Sequence, residues 1–135
     1  MAGRAILDQN LQANVTFGVV AFTVCTGVID LGAVTPFPVT EQLTVQIVTT
    51  AGTNAANNKN VNITIQHANA NANANFINIA ELAPVTILEV TGGYAATTAN
   101  FTLPPATRQY LRALVMGEAN GGNANDGTCT LRLAF

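Results

Sequence analysis

Apolar and polar positions alternate with a period of two along most of this chain. Leu43-Thr44-Val45-Gln46-Ile47 and Val61-Asn62-Ile63-Thr64-Ile65-Gln66 put apolar side chains on one face and Thr, Gln or Asn on the other. That pattern predicts strands with one wet side. It repeats at residues 85–90, 101–103, 109–116 and 129–135, and residues 15–24 add a run rich in β-branched and aromatic side chains. Seven or eight strands are expected. Turn signals separate them at residues 51–54, 57–60, 91–93 and 103–105 and from Asn120 to Gly127. Spacing near ten residues with antiparallel alternation predicts an all-β sandwich or barrel. The one helical candidate is 76–82, where Phe76, Ile79 and Leu82 recur at intervals of three, although Ile77 and Ile79 also fit a strand.

Two stretches stand out from this regular pattern. In residues 109–116, Tyr110, Arg112, Leu114 and Met116 share one parity and Leu111, Ala113 and Val115 the other, so both faces are largely apolar and the strand is expected to be covered on both sides. Arg112 would then need a carboxylate or carbonyl partner, and a structural ion pair with Glu89 or Asp30 is expected. Residues 68–75 form a fourfold Ala-Asn repeat. Extended, it would align its asparagines as a polar ladder; a surface loop or strand extension is the reading preferred here.

Composition narrows the function. The chain has 135 residues, of which 49% are hydrophobic and only 9% charged, with a formal net charge of −2. Ordinary globular domains carry roughly 25% charged residues, so Asn, Gln, Thr, Ala and Gly must form much of this surface. Such a surface is poorly self-repelling and suits a protein packed against other subunits. Arg4, Lys59, Arg108, Arg112 and Arg132 are the only Lys and Arg residues, and they form no basic stripe for nucleic acid. The longest apolar stretch, residues 17–29, is interrupted by Gly18, Thr23, Thr26 and Gly27 and falls short of the ~18 residues of a spanning helix. No membrane association, cleavable leader or lipid attachment is expected.

Catalysis has little to build on. His67, the single histidine, ends an alternating strand at the margin of its buried face and is expected to be a hydrogen-bonded structural residue. Cys25 and Cys129 are expected as two buried, reduced thiols, and their spacing with His67 does not match zinc. The Gly-Gly turns lack the Lys-Ser/Thr of a phosphate cradle. Asn-x-Thr triplets at Asn14, Asn62 and Asn100 occur about as often as chance gives in so Asn- and Thr-rich a chain. Lys59 lies in an Asn-rich turn that reads as solvated rather than as an isopeptide donor, and Asn123, Asn125 and Asp126 read as an ordinary polar turn. No cofactor, metal or catalytic residue is expected.

Several segments, taken in order, point to a family. Ile6-Leu7-Asp8-Gln9-Asn10-Leu11 leads to Thr26-Gly27-Val28-Ile29-Asp30-Leu31-Gly32. Later, Leu103-Pro104-Pro105 precedes Arg108-Gln109-Tyr110-Leu111-Arg112-Ala113, and Gly127-Thr128-Cys129-Thr130-Leu131-Arg132-Leu133 closes the series. Over roughly half its length the chain resembles the capsid cement, or decoration, proteins of tailed bacteriophages, in particular the small jelly-roll type of short-tailed phages. It departs from that pattern at Gln109, inserted between Arg108 and Tyr110, and in an Asn-rich middle from Ala51 to Asn75.

The resemblance implies a jelly-roll-like antiparallel β-sandwich, residues 15–135, preceded by an N-terminal arm, residues 1–14. It implies a structural protein of the virion, assembled in the host cytoplasm and bound to the outer face of the capsid. There it stabilises contacts between major capsid protein subunits, as a homodimer across local two-folds or as a trimer. Arg4, Ile6, Leu7, Asp8 and Leu11 are the expected contact residues of the arm, whose mixed polar pattern gives it little reason to be ordered alone. The alternative is a small β-sandwich that binds glycans or a host surface through its Asn-rich loops. With no tryptophan and only Tyr94 and Tyr110, its stacking platform is poor.

Overall fold

Alternation became ten strands in a computed structural model, which describes residues 7–18, 23–31, 44–52, 60–88, 95–104, 106–117 and 127–134. In chain order they are β1 (Leu7–Thr16), β2 (Thr23–Cys25), β3 (Ile29–Asp30), β4 (Thr44–Thr49), β5 (Asn60–Ala68), β6 (Ile77–Asn78), β7 (Val85–Leu88), β8 (Thr97–Thr102), β9 (Tyr110–Gly117) and β10 (Thr128–Ala134). Among the described residues the only helical element is a 3₁₀ turn at Asn73–Asn75. The chain is all-β, built as two antiparallel sheets packed face to face.

One sheet has four strands in the order β1-β10-β4-β8. The other runs β2-β9-β5-β6, with β3 also on β9 and β7 also on β5. β2 and β3 lie along the same edge of β9, opposite Leu114 to Met116 and Tyr110 to Leu111, so they are two pieces of one interrupted strand. β6 and β7 divide the far edge of β5 in the same way. Among the described residues each sheet is therefore four strands wide.

The core lies between the sheets. Val45, Ile47, Leu131 and Leu133 from one sheet meet Val61, Ile63, Leu111 and Val115 from the other, all buried, with Phe17, Ile29, Ile79 and Leu103 closing the ends. These are the apolar positions that the alternation assigns to the inner faces, and β-branched side chains pack well on a pleated surface. Their burial is the main stabilising term.

Four expectations change. The run at 15–24 divides: β1 ends at Thr16 and β2 begins at Thr23, with residues 19–22 outside the described set. Residues 76–82 are neither a helix nor one strand. Phe76 and Ile79 are buried while Ile77 is 47% exposed, because the segment turns over the end of β5 after a two-residue strand. The outer face of β9 is less covered than its two apolar parities suggest: Leu111, Ala113 and Val115 are buried, but Tyr110, Arg112 and Leu114 are half-buried and Met116 is 46% exposed. Finally, the boundary placed at residue 14 falls inside β1, where Gln12 to Thr16 pair with Arg132 to Thr128 and Leu7 pairs with Ala134 across a register shift.

Threonine does more than coat the outside. Where β2 breaks off, the buried Thr26 hydroxyl accepts the backbone N–H of Ala113 at 2.9 Å and donates to the Gly27 carbonyl at 2.9 Å. The buried Thr49 hydroxyl likewise accepts from the Thr97 N–H at 3.0 Å and donates to the Thr97 carbonyl at 3.3 Å, closing the end of the β4–β8 ladder. Thr107, fully buried, donates to the Pro104 carbonyl at 2.7 Å and fixes the turn that leads into β9. Hydroxyls stand in for backbone groups where pairing stops, which keeps buried donors satisfied.

Candidate interaction surface

Among the described side chains, the outer face of the four-stranded sheet is nearly free of charge. Strict alternation turns Gln12, Asn14 and Thr16 of β1, Thr128, Thr130 and Arg132 of β10, Thr44, Gln46 and Val48 of β4, and Thr98, Asn100 and Thr102 of β8 outward. Among these outward side chains Arg132 carries the one charge. Its Nε donates to Gln46 Oε1 at 2.7 Å, and Gln46 Nε2 donates to Asn100 Oδ1 at 3.0 Å, so one row of hydrogen bonds crosses three strands.

The second outer face mixes apolar and polar groups. Met116 and Leu114 on β9 lie beside Thr23 and Cys25 on β2 and beside Asn62 and Thr64 on β5. Thr86 on β7 donates to Asn62 Oδ1 at 2.9 Å. Arg112 occupies the centre of the next row. Its Nε donates to Gln66 Oε1 at 2.8 Å, Nη1 donates to Asn73 Oδ1 at 2.6 Å, and the guanidinium lies 4.2 Å from the Phe76 ring centroid. Stacking on an aromatic face and bonding to amide oxygens both suit a planar guanidinium.

Arg112 therefore takes amide oxygens and an aromatic ring where an ion pair was expected. Of the two carboxylates considered, Glu89 lies outside the described residues, and Asp30 accepts from Gln109 Nε2 at 3.0 Å. Sequence reasoning missed Gln66, Asn73 and Phe76. The cross-strand pairing of Arg112 with Gln66 depends on register, and Asn73 is supplied by the Ala-Asn repeat, which is not extended. After Ala68 the repeat bends away at Asn69–Asn71, exposed, and returns through the 3₁₀ turn. It forms a surface loop, with Asn73 as its anchor.

His67 sits at the buried end of β5. Its Nδ1 accepts the Arg108 backbone N–H at 3.2 Å, tying β5 to the turn before β9. Burial, and then the nearby Arg108 charge, lower its pKa from the ordinary 6.5, with Glu81 opposing. A neutral, hydrogen-bonded imidazole is what this environment favours. Cys129 is fully buried between the sheets, and burial pushes its thiol up to about 12. Cys25 is half-buried rather than buried, and both cysteines are free thiols.

Two of the segments that carry the family resemblance meet in space. β3, from the Ile29-Asp30 motif, pairs with Leu111 and Tyr110 at the start of β9, and the Leu31 N–H donates to the Gln109 carbonyl at 2.8 Å. Gln109, the residue by which the chain departs from the pattern, is also the one that holds Asp30. Of the expected arm residues, Arg4 and Ile6 lie outside the described residues, and Leu7, Asp8 and Leu11 fall on β1, an edge strand of the four-stranded sheet. Lys59 and the turn containing Asn123, Asn125 and Asp126 also lie outside them. In comparisons with known proteins, no family model and no curated sequence matches the chain.

Proposed function

We propose that this protein is a structural cement protein of a phage capsid, bound to the outer face of the shell and stabilising contacts between major capsid protein subunits. The observation that carries the reading is the outer face of the four-stranded sheet, where the outward side chains described from Gln12 to Thr16 of β1 and on β10, β4 and β8 are hydroxyl, amide and methyl groups with the single charge of Arg132. A neutral array of this kind is weakly hydrated and pairs readily with another protein surface, while it gives little of the self-repulsion that keeps a free domain dispersed. The motif order shared with short-tailed phage cement proteins supports the same conclusion.

The topology supports it as well. With β2 and β3 taken as one strand and β6 and β7 as another, the sheets read β1-β10-β4-β8 and β2/β3-β9-β5-β6/β7. Apart from β5 and β6/β7, which are neighbours in one sheet, consecutive strands pass from sheet to sheet, and the first and last strands are neighbours, as in an eight-stranded jelly roll, an architecture used in viral capsids. We assign that topology here. Cement action needs area rather than chemistry. Each oligomer, a dimer across a local two-fold or a trimer, touches several shell subunits at once, and multivalency turns modest contacts, on the order of 1,000 Å² per site, into a stable coat.

The test compares purified heads carrying and lacking the protein. Heads that carry it should withstand a higher temperature, or a larger osmotic shock, before releasing DNA. Equal resistance in the two preparations would refute the proposal.

A further inference from the structure

The two sheets repeat one side-chain device on their outer faces. On the first, Arg132 Nε donates to Gln46 Oε1 and Gln46 Nε2 to Asn100 Oδ1, at 2.7 and 3.0 Å. On the second, Arg112 Nε donates to Gln66 Oε1 and Gln66 Nε2 to Asn78 Oδ1, at 2.8 and 3.0 Å. In both cases the three residues face one another directly across three adjacent strands, β10-β4-β8 and β9-β5-β6. The same interval along the chain separates Gln46 from Gln66 and Arg112 from Arg132.

A glutamine oxygen on Nε fixes the plane of a guanidinium but does not cancel its charge. Arginine has five N–H donors, and bonding at Nε leaves the edge formed by Nη1 and Nη2 for a two-point contact. Arg112 is held further by Asn73 on one Nη1 hydrogen and by Phe76 under its plane. Both arginines are half-buried and held by these bonds, so much of their side-chain entropy is already spent before any ligand arrives.

We propose that Arg112 and Arg132 are two preorganised carboxylate-receiving sites, one on each outer face, each taking an Asp or Glu side chain of a protein partner. Charge complementarity selects that occupant. Arg132 faces Gln46, and Arg112 lies with Gln66, Asn73 and Phe76, while Asp30, opposite Tyr110 on the same face, accepts from Gln109; a carboxylate matches both the charge and the fork spacing of the Nη edge. Because the sites lie on opposite faces of the sandwich, one molecule can hold two acidic surfaces together. The assignment uses only side-chain geometry and is independent of the cement reading.

The test uses the full chain labelled with ¹⁵N, the arginine Nε–H resonances, and sodium acetate as probe, with sodium chloride and inorganic phosphate at equal ionic strength as controls. Acetate should shift both resonances to saturation, and chloride should not. Arg112→Gln and Arg132→Gln should each abolish one response and leave the other, with backbone spectra reporting an intact fold. Gln46→Leu, which keeps Arg132 but frees it to rotate, should weaken acetate at that site roughly three- to tenfold. Non-saturating shifts, an equal response to chloride, or tighter saturation by phosphate than by acetate would each overturn the assignment.

Discussion

Single hydroxyls and rings give the sharpest checks on this fold. Thr26→Val keeps the shape but removes the acceptor for the buried Ala113 N–H, and should cost about 1–3 kcal/mol in urea unfolding, whereas an exposed Thr98→Val should change stability by under about 0.5 kcal/mol. The thiols differ in the same way. In native protein iodoacetamide should modify Cys25 and leave Cys129 intact until denaturant is added, since Cys129 is fully buried with its thiol pushed up to about 12. His67 makes stability depend on pH. Its folded pKa is lowered, so below 6.5 the unfolded chain binds the proton more readily than the native one. Stability contributed by neutral His67 is complete above pH 6.5 and declines as pH falls from there through the folded pKa. The urea midpoint should therefore drop between pH 7.5 and 5.5, and this drop should shrink in His67→Gln. The hydrogen-bonded histidine was legible in the parity of β5, and Thr49 shares the buried parity of Val45 and Ile47, but the burial of Thr26 and Thr107 was not legible, because both lie between strands, where alternation assigns no face.

Strand identity was largely legible because each inner face is a regular series of β-branched or leucine side chains. β4, β5, β7, β9 and β10 all overlap the segments that alternation marks. Interruptions were not legible: the splitting of β2 from β3 and of β6 from β7 is set by how much of a neighbour's edge each segment reaches, which no local pattern encodes. The N-terminal segment shows the same limit. Its mixed polarity reads as an arm, yet Gln12 to Thr16 complete one edge of the four-stranded sheet, and Ala13 and Val15 pack against the core there. Removing residues 2–11 leaves that five-residue pairing in place, so the chain should still unfold cooperatively near its original temperature while losing occupancy on the shell. Removing residues 2–16 strips β10 of one of its two neighbours and should lower the thermal midpoint sharply. Differential scanning calorimetry of the two truncations separates these outcomes.

The whole molecule presents two faces of different character, held apart by one core. One is an array of hydroxyls and amides around Arg132; the other carries Met116, Leu114 and Cys25 near the braced Arg112. Low charge was evident from composition alone, but the gathering of hydroxyls and amides around Arg132 on one face required the order β1-β10-β4-β8, since four segments distant in sequence contribute to it. The Arg-Gln-Asn rows likewise emerge only when register sets Gln46 beside Arg132 and Gln66 beside Arg112. On the proposed function, the few ions on this face reflect permanent contact with neighbours in a lattice. Quantitative mass spectrometry of purified phage heads tests this most directly. The chain should be present at a fixed copy number that is a simple multiple of the shell's symmetry sites, with little left free in the lysate; finding it as a dispersed monomer, absent from the heads, would contradict the proposed role.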